Sequence, residues 1–229
     1  MNLYFLLEDE KSFLKILPGW LEYIGLDYSR VPDIKEVQEN NYVLQSGHGV
    51  TQLVTKVLFD TIDTLILNPG KIDKLVIILD SEELTIEERK KRVEEQINNH
   101  YPNINFAFDI IILVCNCCFE TWLLGCKGLY PLSVEEKSFF YQYYHHYNVE
   151  THNPEEMMKP AGSNETTAKF HFHYLHELLR YKGIRYSKNK PDYVATENYF
   201  KGLVERIDTT EHLNSFRTFY NFISSVKEK

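Results

Sequence analysis

Short apolar runs that end abruptly in polar residues constrain the fold of this chain more than any other feature. Leu3–Leu7 runs directly into three acidic residues, and residues 75–79 form a second run of the same kind. Neither run alternates with polar residues, so each predicts a strand buried on both faces. Segments with helical spacing follow both runs. Strands that alternate with helices predict a mainly parallel sheet with helices on both sides.

Residues 42–44 and 106–115 are two further predicted strands. We therefore expect residues 1–130 to form an α/β domain with a four-stranded parallel sheet flanked by helices. The later part of the chain lacks such runs. There, apolar residues recur at helical spacing in four segments, at residues 134–147, 167–181, 192–207 and 212–226. Residues 131–229 are therefore expected to form a helical extension packed on the first domain.

The composition limits the kinds of protein that this chain can be. It has 229 residues and a net charge of −8, whereas a stand-alone nucleic-acid binder usually presents a basic face. Weak intrinsic binding, a local basic patch or dependence on a partner would each reconcile these facts. The longest apolar run, residues 110–118, is too short to span a membrane. Because three of the four cysteines lie in that run, a disulfide framework is not expected. The sequence thus predicts a reduced, cytoplasmic protein.

Acidic side chains follow three of the predicted strands. Glu8 follows the first, Asp80 and Glu82 follow the third, and Glu120 comes shortly after the fourth. Each acid alone is explained equally well as a helix cap. However, the carboxyl ends of parallel strands meet at one edge of a sheet, where ligands bind. Converging carboxylates repel one another unless a cation lies between them, and oxygen ligands suit Mg²⁺ or Mn²⁺.

Two other segments are candidates for binding phosphate. His48 lies in a glycine-containing turn that opens a helix, where backbone N–H groups can face an anion, although a plain tight turn explains it as well. A basic stretch with interleaved tyrosines could hold a nucleic-acid backbone or could be a solvated helix end. Its candidate residues are Arg180, Lys182, Arg185, Lys188 and Lys190.

The cysteines and histidines do not form a recognised metal-binding pattern. Cys115, Cys117 and Cys118 are not spaced as two Cys-x-x-Cys pairs, so buried reduced thiols are the favoured interpretation. The histidines of the second half, including His171, lack a His-Glu-x-x-His arrangement. They are expected to be ordinary core or surface residues.

At the acidic turns the sequence resembles the Toprim family, which places a Glu after its first strand and Asp-x-Asp after its third. The corresponding residues are Glu8, Asp80 and Glu82, with Glu82 in place of the second Asp and Asp9 in place of a usual Gly. The chain looks most like the small stand-alone (RloB-like, OLD-associated) Toprim-like proteins of bacterial antiphage operons. Three further short motifs match at residues 119–122 (FETW), 153–155 (NPE) and 215–219 (SFRTF).

This resemblance implies a Mg²⁺- or Mn²⁺-dependent endonuclease that cleaves phosphodiester bonds in DNA or RNA, for example tRNA. Glu8, Asp80, Glu82 and Glu120 would be its catalytic and metal-binding residues, with Glu8 as a ligand or general base. The family is often encoded beside an ABC/AAA-type ATPase, which would be the partner in antiphage defence. Two alternatives remain, namely an enzyme acting on a small nucleotide signal and an inactive partner protein that keeps only the fold.

Overall fold

The computed structural model describes residues 1–227 and contains one five-stranded, all-parallel sheet. The strand order is β2-β3-β1-β4-β5, so the first and fourth strands of the chain lie side by side near the centre. The strands are β1 (Leu3–Leu7), β2 (Ser29–Val31), β3 (Asn41–Ser46), β4 (Lys74–Asp80) and β5 (Asp109–Cys115).

Helices connect the strands and make up most of the second half. The first half contains α1 (Ser12–Ile24), α2 (Val50–Gln52), α3 (Leu58–Leu67), α4 (Ile86–His100) and α5 (Phe119–Leu124), with a π-helical turn (Leu53–Val57) between α2 and α3. The second half contains α6 (Tyr141–His146), α7 (Thr167–Tyr181), α8 (Glu197–Thr209) and α9 (Asn214–Lys227). Among residues 1–227, no helix has both the length and the apolar character needed to cross a membrane.

The predicted α/β fold is confirmed, but the predicted number of strands is wrong. The additional strand, β2, pairs with β3 at one edge of the sheet, with Ser29 opposite Asn41. It has only three residues, and Ser29 and Arg30 are exposed. A short, solvated edge strand buries no apolar run, so the pattern that identifies the central strands is missing there.

Each face of the sheet carries its own apolar core. On one face, α1, α5 and the helices of the second half surround Trp20, Trp122 and Phe216, and the Phe216 ring lies edge-on to both Trp rings at 5.5–5.6 Å. On the other face, α3 and α4 cover Leu6 and Ile77. The domain boundary near residue 130 stays a prediction, but residues from both sides of it share the first core.

A buried hydroxyl joins the two halves of the chain. Ser215 Oγ accepts hydrogen bonds from Trp122 Nε1 at 2.6 Å and from the Asn116 N–H at 3.1 Å. The Glu155 carboxylate accepts the N–H groups of Asn214 and Ser215 at 2.9 Å each, which caps the start of α9. The FETW, NPE and SFRTF motifs therefore each supply a residue to this junction, where they hold α9 against the sheet.

The helix predicted at residues 134–147 is much shorter in the structure, where α6 covers only Tyr141–His146. Ser138 explains the difference, because its Oγ accepts the Phe140 N–H at 3.1 Å. Such a local bond satisfies the backbone in a turn and competes with helix formation. The helix predicted at residues 167–181 is confirmed with the same bounds in α7.

Gly47 is required where β3 passes into the turn beside the acidic edge. A Cβ added there would lie 2.7 Å from the Leu53 side chain, which is fully buried. We therefore expect Gly47→Ala to destabilise the protein by about 1–3 kcal/mol through overpacking. Gly19→Ala is the matched control, since its Cβ would meet nothing closer than 3.5 Å inside α1 and should be neutral or stabilising. Equal denaturant midpoints for the two variants would contradict this account.

Candidate active site

The carboxyl ends of β1 and β4 bring two acids together. In the register of these strands Leu7 lies opposite Ile78, and the Glu8 N–H continues the pairing by donating to the Ile78 carbonyl at 2.9 Å. The Glu8 carboxylate turns towards β4 and accepts the Asp80 N–H at 2.8 Å. The predicted convergence of Glu8 and Asp80 is thus realised by backbone pairing and by one direct bond between the two residues.

Glu8 and Asp80 line a cleft of about 250 Å³ at this edge. The residues that immediately precede α1 and α2 contribute to its lining. The cleft is strongly polar, and besides Glu8 and Asp80 it is lined by two further acids, one histidine and two lysines. Its lining residues are Glu8, Asp9, Glu10, Lys11, His48, Gly49, Asp80 and Lys188.

Asp9 has a structural role at the cleft rim. Its carboxylate accepts the N–H groups of Lys11 at 2.6 Å and Phe13 at 3.1 Å, and also the Ser12 hydroxyl at 3.0 Å. These bonds satisfy donors at the start of α1 that have no partner within the helix. Asp9 therefore fixes the start of the helix that follows Glu8.

The surroundings of the two acids oppose their ionisation. Desolvation raises the pKa of the Glu8 carboxyl, the Asp80 N–H opposes the rise, and the Glu82 carboxylate adds to it. Desolvation also raises the pKa of Asp80 well above its usual range, and the charges of Glu8, Cys118 and Glu120 raise it further. Carboxylates whose ionisation is opposed in this way gain most from a bound cation, which favours their charged form.

Glu120 lies behind this pair and is only 2% exposed. It is held at the start of α5 and forms an ion pair with Lys188, whose Nζ is 3.0 Å from Glu120 Oε1. Desolvation lowers the pKa of the Lys188 ammonium, but the attraction of Glu120, together with Asp9 and Asp80, more than reverses this and raises it. Lys188 is therefore a permanent positive charge at the edge of the acidic cleft.

A tight turn from the second half of the chain delivers Lys188. Ser187 and Lys190 pair their backbones across this turn, and the Asn189 carbonyl accepts Lys15 Nζ of α1 at 2.7 Å. The Lys188 ammonium also lies 5.6 Å from the centre of the Phe172 ring. A segment more than 100 residues from Asp80 in sequence thus contributes to the site, and the basic stretch alone did not indicate that Lys188 would lie beside the acids.

Glu82 does not line the cleft with Glu8 and Asp80. Its backbone has φ +54°, and its carboxylate pairs with Arg89 Nη2 at 3.0 Å. The side chain lines a different depression on the far side of the turn, next to Thr85 and Met157. The left-handed backbone turns the chain after Ser81, so the alternation of an extended strand, on which the Asp-x-Asp comparison depends, ends before Glu82.

The other predicted phosphate-binding residues lie outside the cleft, apart from His48. His48 is at the rim, where its Nδ1 lies 3.1 Å from Glu10 Oε2. Arg180 lies 3.5 Å from Glu177 and stacks over the Phe139 ring at 4.9 Å. The remaining three basic candidates are exposed, and they are Lys182, Arg185 and Lys190.

The donor set at the cleft suits a hard divalent cation. Glu8 and Asp80 present carboxylate oxygens to one space, and Glu10 borders the same space. Oxygen-only donors with room for water match the preferences of Mg²⁺ and Mn²⁺. No family model, curated protein or solved structure matches this chain, so its function has to be argued from this geometry and from the motifs.

Removing the charge of Asp80 should stabilise the metal-free protein. The folded-state pKa of Asp80 is raised, so between the ordinary carboxyl pKa of about 3.9 and that higher value the folded protein binds more protons than the unfolded chain. Its stability therefore falls as pH rises through this window. We expect Asp80→Asn to melt above wild type at pH 8 in the presence of a chelator, and this difference to shrink towards about pH 4. Each kcal/mol gained in free energy of unfolding should raise the melting temperature by about 2–4 °C.

Glu94→Gln is the control for that measurement, because Glu94 is exposed on α4 away from the cleft. Its melting temperature should follow wild type at both pH values. An Asp80→Asn variant that melts at or below wild type throughout would show that the carboxylate is not held against its ionisation.

Proposed function

We propose that this protein is a cytoplasmic, Mg²⁺- or Mn²⁺-dependent endonuclease that hydrolyses phosphodiester bonds in DNA or in a structured RNA such as tRNA. The observation that carries the proposal is the meeting of Glu8 and Asp80 at the carboxyl edge of a parallel sheet, opposite Lys188. Acids with raised pKa values and a fixed positive charge in one cleft are typical of catalytic sites. The Toprim-like motifs support the same conclusion from sequence.

The proposed roles follow from the positions of the side chains. Glu8 and Asp80 would hold the cation, which would polarise the phosphoryl oxygen and lower the pKa of a bound water. In the alternative role, Glu8 would leave the cation to Asp80 and act as the general base that accepts a proton from the attacking water. Lys188 would bind the phosphate and stabilise the negative charge that develops on it. Glu120 would position Lys188 through their ion pair.

Nucleic-acid binding by the isolated chain should be weak. The net charge is −8, and only one residue of the basic stretch, Lys188, borders the acidic cleft. Exposed Lys182, Arg185 and Lys190 could add phosphate contacts only beyond it. This arrangement supports an ABC/AAA-type ATPase as a partner in antiphage defence, a role that rests on the resemblance of the motifs.

Metal binding can be tested without a substrate or a partner. A cation that binds only the folded protein raises its melting temperature. We expect Mg²⁺ or Mn²⁺ to raise the melting temperature of wild type and of Glu94→Gln, but not that of Glu8→Gln or Asp80→Asn. The same two cleft variants should lose at least about 100-fold in the rate of plasmid or tRNA cleavage.

Lys188→Met should lose a similar factor in rate while keeping the metal-dependent rise in melting temperature. Lys91→Met, on the exposed face of α4, is its matched control. Cleavage retained by both Glu8→Gln and Asp80→Asn would exclude the proposed site. The absence of any metal-dependent stabilisation in wild type would instead favour a protein that keeps the fold without the chemistry.

A small nucleotide is the second candidate substrate. The cleft of about 250 Å³ is near the lower limit of small-ligand sites, and an acidic chain needs no long basic surface to bind a small molecule. Salt distinguishes the two substrates, because a polymer releases condensed counterions on binding and a small nucleotide does not. For a polymer we expect kcat/KM to fall steeply between about 50 and 200 mM salt. A nearly flat dependence would identify the small nucleotide instead.

A further inference from the structure

A second group of ligand atoms lies beneath the turn that carries the acids. One atom each from Cys117, Cys118 and His171 fall within 4.8 Å of one another, and the three residues are 6%, 2% and 0% exposed. The cysteines belong to the connection between β5 and α5, whereas His171 lies on α7 in the second half of the chain. The fold therefore brings together ligands that are more than 50 residues apart in sequence.

The chemistry of these donors differs from that of the acidic cleft. Two thiols and an imidazole are soft or borderline ligands, which select Zn²⁺ over Mg²⁺. In tetrahedral coordination with bond lengths of about 2.0–2.3 Å, neighbouring ligand atoms lie about 3.5–3.8 Å apart. Ligand atoms at the observed limit of 4.8 Å would have to approach by about 1.0–1.3 Å, which side-chain rotation can supply.

The hydrogen bonds of His171 already fix the tautomer that a metal requires. Its Nε2 lies 2.7 Å from the Met157 carbonyl, which can only accept, so this nitrogen carries the proton. Nδ1 then presents a lone pair towards the cysteines. An imidazole that donates its second N–H to a backbone carbonyl is the usual arrangement of a histidine that binds a metal.

Thr121 makes a hydrogen bond to His171 Nδ1 that a bound metal would replace. Its hydroxyl accepts the Cys118 N–H at 3.2 Å and donates to His171 Nδ1 at 2.8 Å, while Cys118 Sγ lies 3.5 Å away. When a metal takes the Nδ1 lone pair, this O–H is free to turn towards the Cys118 sulfur.

The charge of the occupied site would balance. Binding of one Zn²⁺ displaces one proton from each thiol to solvent, and the two resulting thiolates neutralise the ion. With a neutral imidazole, the site carries no net charge, so its burial does not leave an uncompensated ion. Three carboxylates lie near this group without belonging to it: Glu83 is near His171, and Asp80 and Glu120 are near Cys118.

We propose that Cys117, Cys118 and His171 bind one structural Zn²⁺, independently of the cation in the acidic cleft. The site also supports that cleft through the backbone. Cys117 adopts φ +59°, its N–H donates to Ser81 Oγ at 2.9 Å, and its carbonyl accepts the Glu82 N–H at 2.8 Å. A metal at Cys117 would thus brace the turn that follows Asp80 against α7.

The test is the metal content of the full chain, expressed with added zinc and passed over a weak chelator. We expect about one zinc per chain in wild type, and a loss of at least about tenfold in Cys118→Ser and His171→Asn. Cys126→Ser removes an equally buried thiol outside the group and should keep the zinc. Asp80→Asn should keep it too, which separates this site from the proposed nuclease site.

Cobalt substitution covers the case in which the ligand variants do not fold. Wild type refolded with Co²⁺ should show thiolate-to-cobalt charge-transfer absorption and the strong visible bands of a tetrahedral ion. Wild type with less than about a tenth of a zinc per chain and no thiolate–cobalt absorption would overturn the proposal. Full zinc retention by folded Cys118→Ser would overturn it as well.

Discussion

The parallel pairing of β1 with β4 is the constraint on which the candidate site depends. It places the first residue after β1 next to the last residue of β4, and the hydrogen bond from the Asp80 N–H to the Glu8 carboxylate completes that arrangement. Ordinary strand pairing thus enforces a proximity that the two charges oppose. The free energy for this comes from the apolar cores on both faces of the sheet, not from the site itself.

Strands buried on both faces can be recognised from sequence because burial leaves no polar residue in them. That signal identified β1 and β4 and, through the parallel arrangement, the meeting of Glu8 with Asp80. It is absent from β2, whose exposed residues resemble a loop. It also ends at the last strand residue, so the left-handed turn that directs Glu82 to Arg89 was not predictable from the spacing of the acids.

Long-range contacts account for what the sequence does not indicate. Lys188 was a candidate only as one member of a basic stretch, and nothing local separates it from Lys190. What distinguishes Lys188 is that the turn carrying it packs on Lys15 of α1, through the hydrogen bond from Lys15 Nζ to the Asn189 carbonyl. In the same way, Cys117 and Cys118 lack a recognised zinc spacing because the third ligand atom comes from α7. Sequence patterns find ligands spaced along one segment and those at the ends of neighbouring strands, but they miss ligands that helix and turn packing brings together.

The ion pair between Lys188 and Glu120 limits how a cation can bind in the cleft. Glu120 is buried, so removing its partner would leave an uncompensated charge, and Lys188 therefore resists displacement. In the proposed site, a cation would therefore find its available carboxylates on Glu8 and Asp80, which lack a basic partner of comparable proximity. Lys188 would remain beside the cation instead of being replaced by it, and both positive groups would be close to the substrate phosphate. Such an arrangement would attract the proposed polyanionic substrate more strongly than the net charge of the chain suggests, because the local field, not the total charge, would act on its phosphate.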